Sequence, residues 1–203
     1  MLKPSVALFG LMAILGLQAC QTLSKEECAV ADWAVIGERD GAAGRSLGYV
    51  SNHIKACSKS GQPVDQIRWR DGHALGARRY CTPENGLVVG NKGAAYNNIC
   101  APDQQVGFLD GYNLGKERHA LLQRRRNLTS RISSAEGAMR EVDKKFAAGV
   151  RTSEFVSTEK RRLRRDIRQA KFDVQDIDFE IERLDRRIRR EGFSPPPAPS
   201  PVF

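Results

Sequence analysis

Asp40, His53, Asp71 and His73 are the side chains whose types and spacing could do chemistry. Asp71 and His73 sit in WRDGHALGARRYCTPENG, Asp40 in the RDG of residues 39–41, and His53 four places before Cys57. Carboxylate and imidazole together supply an acid and a base. Imidazole and thiolate four apart can face one metal from the same helix turn. Against this, Asp before Gly is also ordinary turn chemistry, and no further ligand spacing accompanies His53 and Cys57. The four residues are therefore candidate ligand-binding residues without a complete catalytic constellation. GLVVGNKG, residues 86–93, lacks the GK[ST] ending of a phosphate loop and the strand-to-helix context of a dinucleotide fold. It reads as a turn closed by a disulfide, and neither a metal nor another cofactor is implied.

Whether Cys57 is a free thiolate depends on the compartment. The chain opens MLKPSVALFGLMAILGLQAC, with one positive charge at Lys3 and an apolar run from Val6 to Leu17. That run is shorter than the roughly 20 apolar residues of a membrane span, so residues 1–19 read as a signal peptide. Leu17-Gln18-Ala19-Cys20 resembles the lipobox of bacterial lipoproteins. The resemblance implies that Cys20 becomes the acylated N-terminus, with palmitate among its chains. Gln21 rather than Asp after it implies the outer membrane, facing the periplasm. More than one acyl chain is needed for a stable anchor. Cys28, Cys57, Cys81 and Cys100 remain, an even number in an oxidising compartment, and two disulfides are expected. Four cysteines allow three connectivities. Local loop closure favours Cys28 with Cys57 and Cys81 with Cys100, each bridge contributing about 2 to 4 kcal/mol. No thiol is then left over for nucleophilic chemistry.

The elements that must position these groups divide the chain by composition. Residues 20–115 are rich in Gly, Cys and aromatics, and form a lipid-anchored helical domain. Residues 116–191 lack Cys and Pro and are dense in charge, and residues 192–203 form a Pro-rich flexible tail. In 116–191, Leu163, Ile167, Ala170, Val174, Ile177, Ile181, Leu184 and Ile188 alternate spacings of four and three, a heptad seam with Ile167, Val174, Ile181 and Ile188 at a. Leu121, Leu128, Ile132, Ala135, Met139, Val142 and Phe146 carry the same rhythm. Between them, at about 147–153, Gly149 stops one helix and Thr152 or Ser153 caps the next. An antiparallel coiled-coil hairpin follows, its arms about 50 Å long at 1.5 Å per residue. Arg118 and Arg125 fall at core phases. Either they snorkel, or the first domain supplies the missing contacts. Phe172 and Phe179 lie one heptad apart on the face turned from the partner arm. They cover another part of the chain or a second copy, or they form a partner-binding site.

In the first domain, Ser24 and Glu27 have the capping-box spacing and start a helix carrying Cys28, Trp33 and Ile36. A second helix runs from Asp65 to Tyr80, PENG turns the chain, and a third helix begins after Asp103 and continues into the hairpin. GRSLG at 44–48, GHALG at 72–76 and GYNLG at 111–115 each place glycines four apart. Each Gly costs about 1 kcal/mol in a helix interior relative to Ala, so the pairs imply tight helix crossings in return. DWAVIGERDGAAG, His53 with Cys57, GHALGARRYCTPENG and GLVVGNKGAAYNNICAPD resemble, over about residues 28–115, a family of small proteobacterial lipoproteins, the domain of unknown function numbered 2799. The resemblance implies a periplasm-facing lipoprotein and no established activity.

The formal charge is +9, concentrated in hairpin runs such as KRRLRRDIR, with acids interleaved as on a solvated coiled-coil face. A periplasmic address excludes nucleic acid. The expected partners are the membrane through the anchor, and an envelope protein, peptidoglycan, lipopolysaccharide or a second copy through the hairpin. The expected fold is mainly α: a small disulfide-stapled helical domain followed by a long antiparallel coiled-coil hairpin. The expected role is structural or interactive in the envelope. The alternative is an envelope-acting enzyme or ligand-binding protein with its site among Asp40, His53, Asp71 and His73.

Overall fold

Five helix starts in this chain are set by side chains that take up the orphaned amides of a first turn, at Ser24, Asp32, Asp65, Thr82 and Thr152. The computed structural model, which describes residues 23–58 and 60–197, has seven α-helices, with no strand among the described residues. They are α1 Lys25–Ala29, α2 Trp33–Ala42, α3 Val50–Cys57, α4 Gln66–Tyr80, α5 Pro83–Asn91, α6 Pro102–Ala147 and α7 Ser153–Arg190. The signal segment, Cys20 and the end of the tail lie outside the described residues. The capping box of Ser24 and Glu27 forms, but the helix it starts ends at Ala29. Asp32 then accepts from the amides of Ala34 and Val35 and starts a new helix, so Trp33 and Ile36 belong to α2 and not to the helix of Cys28. Asp65 caps α4 in the same way. PENG does not turn the chain: Thr82 is an N-cap, Pro83 stands where a helix needs no amide, and GLVVG is the body of α5. The disulfides are Cys28–Cys57 and Cys81–Cys100.

Two helix pairs cross on bare backbone. In the pair α2 and α4, Gly37 faces the carbonyl of Trp69 and Gly41 that of His73, while Gly72 faces Ala34 and Gly76 faces Glu38. In the pair α5 and α6, Gly86 faces Phe108, Gly90 faces Tyr112, Gly111 faces Pro83 and Gly115 faces Leu87. In every case the glycine meets the carbonyl three residues before a glycine of its partner. Any Cβ at these positions would overlap that oxygen. GHALG and GYNLG therefore do the work expected of them, but GRSLG does not. Gly44 has φ of 73° just after α2, and Gly48 faces only the Ser46 side chain. The glycines that pair with GHALG and GYNLG are those of GERDG and GLVVG.

The two pairs are copies of one unit. After each first helix a glycine with positive φ follows the glycine pair by three residues, Gly44 in one unit and Gly93 in the other. Each is covered by the ring four residues past the second glycine of the partner helix, Tyr80 over Gly44 and His119 over Gly93. The next amide closes the helix end, Arg45 N–H on the Asp40 carbonyl and Ala94 N–H on the Val89 carbonyl. Each disulfide ties the segment before the first helix to the segment before the second. WRDGHALG of residues 69–76 and FLDGYNLG of residues 108–115 are the matching sequences.

The second helix of the second unit does not stop. α6 continues past Gly115 as the first arm of the hairpin and returns as α7, with Gly149 at φ of 69° and Thr152 capping Phe155. Leu163, Ala170, Val174, Ile177, Ile181, Leu184 and Ile188 are buried in the seam, and Leu87 of α5 joins Leu121 and Ile181 in the core at its base. Arg118 and Arg125 are buried rather than snorkelling, and the first domain does supply contacts at the base, through Leu87 and Asn91. Arg118 donates to both oxygens of Asp185 at 2.7 and 3.4 Å, and Arg125 to both of Asp178 at 2.6 and 3.5 Å. Arg118 also donates to Asn91 of α5 and to the carbonyls of Pro196 and Pro197, so the start of the tail is held against the rod.

Gly37→Ala or Gly76→Ala is expected to destabilise the head by about 1 to 3 kcal/mol through overpacking, in urea or guanidinium unfolding. Gly137→Ala, whose Cβ would meet only the far end of Arg140 in mid-helix, should stabilise by about 1 kcal/mol. Arg118→Met should cost about 3 to 5 kcal/mol because it strands the buried Asp185, and adding Asp185→Leu should recover most of that loss.

Candidate functional site

Asp40, His53 and His73 come from α2, α3 and α4, and Asp71 does not join them. Asp40 reaches the first unit's interior because the glycine crossing brings α2 onto α4. There one carboxylate oxygen accepts from Nε2–H of His53 at 2.7 Å and from the indole Nε1–H of Trp69 at 2.9 Å. His53 is 3 % exposed, His73 2 % and Trp69 1 %. His73 packs at a tilt against Trp69 with ring centroids 4.9 Å apart and donates from Nε2 to the carbonyl of Arg45 at 2.7 Å. Trp33 and Tyr49 close round His53 at centroid separations of 6.1 and 5.4 Å. Asp71 is exposed on the opposite side of α4. Cys57 is in its disulfide, so the spacing of His53 and Cys57 places no thiolate beside the imidazole.

Chemically this is a buried carboxylate held by two N–H donors, with a second imidazole spent on a backbone carbonyl. It joins three helices and the turn after α2. The second unit makes the comparison direct. At the positions of Asp40, Trp69 and His73 it carries Val89, Phe108 and Tyr112, with Tyr96 packed on Phe108 at 4.8 Å. Tyr112 donates from its hydroxyl to the carbonyl of Ala94, as His73 does to that of Arg45. Burial, with Tyr112 and Tyr96 close by, raises the Tyr80 phenol above its usual range. Among the described residues no group of three or more His, Cys, Asp or Glu side chains is placed to hold a metal.

Two surface features lie outside this network. A cleft of about 520 Å³ opens where α6 passes the end of α7, lined by Pro83, Asp110, Leu114, Glu117, Arg187 and Phe193 among others. No sequence motif marks it, because its walls come from three distant segments. Phe172 and Phe179 are 61 % and 68 % exposed on α7, and no described part of the chain covers them. Nearer the tip, Arg162 hydrogen-bonds Glu159 and holds that carboxyl below its ordinary range.

Residues 32–117 match the family model described as Protein of unknown function (DUF2799). The matched segment begins at the cap of α2 and ends just past the last crossing glycine of α6. It therefore spans both glycine-crossed units and leaves the rest of the hairpin outside. Neither a curated protein nor a solved structure matches the chain. No described helix is long and apolar enough to cross a membrane.

Asp40→Ala should destabilise the protein by about 2 to 4 kcal/mol, because it removes the acceptor that two buried N–H donors share. Asp71→Ala should change stability by no more than about 0.5 kcal/mol. Chemical unfolding of the two variants side by side checks both.

Proposed function

We propose that the chain is an outer-membrane lipoprotein, anchored through Cys20 and facing the periplasm, whose hairpin has a structural or interaction role in the envelope. The observation that carries the reading is the continuity of α6. One helix of 46 residues forms a wall of the second unit and then the first arm of the rod. Whatever the rod meets is thus coupled rigidly to the head, and two disulfides suit the head to an oxidising compartment. From Arg118 to Ala147 the arm extends about 45 Å. Its partner is an envelope protein, peptidoglycan, lipopolysaccharide or a second copy of the chain.

A second reading, an envelope-acting enzyme or ligand-binding protein, is favoured by the contact between Asp40 and His53. The second unit weighs against it. Val89, Phe108 and Tyr112 occupy the same positions as Asp40, Trp69 and His73, which supports a packing role for the polar set.

Cys20→Ala is expected to move the protein from salt-washed membranes to the soluble periplasmic fraction. Continued association after that wash would sink the anchor. Photo-cross-linkers at Phe172 or Phe179 in cells should capture an envelope component. Loss of the envelope phenotype in His73→Gln, with normal accumulation of folded, oxidised protein, would favour the second reading.

A further inference from the structure

The outer face of α7 has a composition that the hairpin seam does not require. Arg165, Phe172, Phe179 and Arg186 follow one another at seven-residue intervals on the side turned from α6, and all four are exposed. The line is about 30 Å long at 1.5 Å per residue. Its shoulders are basic as well: Arg161, Arg168, Arg183 and Arg190 are exposed there, against the acids Asp176 and Glu182. The other acids of this stretch lie toward the edges of the seam, where Asp178 and Asp185 pair with Arg125 and Arg118, and Glu180 with Arg124. Pairing across the seam leaves only Asp176 and Glu182 as acids on the outer face, and Glu182 pairs with Arg186 at the surface. The rest of the face is two phenylalanines in water with arginines in excess beyond each end.

A second copy fits this face poorly. Stacking Phe172 on the Phe179 of an antiparallel copy sets Arg165 against Arg186 and Arg168 against Arg183, and parallel pairing sets each arginine against itself. Two aromatic side chains on the side of a rod also fall well short of the roughly 1,200 Å² of a specific protein interface. A surface that is anionic at its top and apolar just below satisfies both residue types at once, as for helices that lie in the membrane interface. We propose that the outer face of α7 docks on an anionic lipid bilayer, with Phe172 and Phe179 entering among the acyl chains and the flanking arginines on lipid phosphates. This deepens the reading of the hairpin as an envelope interaction element and rests on it, but it does not depend on acylation of Cys20.

The test uses the mature chain, residues 20–203, carrying Cys20→Ala and Phe172→Trp, with vesicles of phosphatidylglycerol and phosphatidylethanolamine whose acyl chains are brominated. Trp33 and Trp69 are buried, and the Cys20→Ala chain without the new tryptophan gives their background. Fluorescence of the introduced tryptophan should be quenched beyond that background on anionic vesicles and not on phosphatidylcholine vesicles. Arg165→Gln with Arg168→Gln should raise the lipid concentration at half-saturation about thirtyfold, and salt at about 1 M should weaken binding in the same direction. These positions are exposed, so circular dichroism should show an unchanged helix content. No quenching beyond background overturns the proposal, and so does equal quenching on neutral vesicles. Self-association in lipid-free sedimentation that Phe179→Ser abolishes would assign the face to a second copy and overturn it too. Because the tested chain carries no acylated Cys20, a failed anchor and a failed docking face give separate results.

Discussion

The absence of a Cβ at eight positions sets how close the helices of the head can come, and most of its architecture follows from that distance. Glycine Cα–H groups against carbonyl oxygens bring two backbones into contact with no side chain between them. Such a crossing contributes little apolar burial of its own, and each glycine raises the cost of forming its helix. The stabilising burial has to lie beside the crossing. In the first unit it comes from Trp33 and Trp69 around the Cys28–Cys57 bridge, and in the second from Tyr80, Phe108 and Tyr112 around Cys81–Cys100. The bridges restrict the unfolded chain of a head too small to rely on its core alone.

Because the frame is backbone on backbone, its contents can change without moving it. The two units keep the crossing glycines, the positive-φ glycine after the first helix, the ring that covers it and the side chain that bonds the following carbonyl. They differ in the interior, where one holds Asp40, Trp69 and His73 and the other Val89, Phe108 and Tyr112. A buried carboxylate that accepts from His53 and Trp69 makes directional demands that a valine does not. The first unit therefore gains a fixed arrangement of α2, α3 and α4, whereas the second relies on stacking of its aromatic rings.

Features governed by nearby residues are legible in the sequence, and features governed by distant partners are not. The heptads of α7, the stop at Gly149 and the caps at Ser24 and Thr152 all depend on short spacings, and the two bridges are those that close the more local loops. GRSLG has the spacing of a crossing pair, but Gly44 serves a backbone turn, and spacing does not distinguish the two uses. GLVVG is the reverse case: its glycines suggest a turn, yet it is helical because Thr82 and Pro83 start a helix and α6 receives its bare face. His53 points along its own helix to Cys57 by spacing, while its partner comes from α2. Arg118 and Arg125 look like faults in a seam until Asp178 and Asp185, also one heptad apart, are set against them. The antiparallel register of the two arms, rather than the a and d positions of either one, carries that information.

That pair of ion pairs is better understood as setting register than as adding stability. Burying Arg118 and Asp185 costs desolvation that their attraction only partly offsets, and apolar residues would hold the arms together at least as well. An apolar seam alone, however, is less selective against a slip of one heptad, since one aliphatic residue replaces another along α7. A slip that set Arg118 opposite Asp178 would set Arg125 opposite Lys171. The slip in the other direction would set Arg125 against Asp185 and take Arg118 beyond the end of α7. Only the observed register satisfies both arginines, and only there does Arg118 reach Asn91 and the carbonyls of Pro196 and Pro197 as well. The same contacts thus fix how far the rod extends, where its chain end lies, and which face of α7 is turned away from α6.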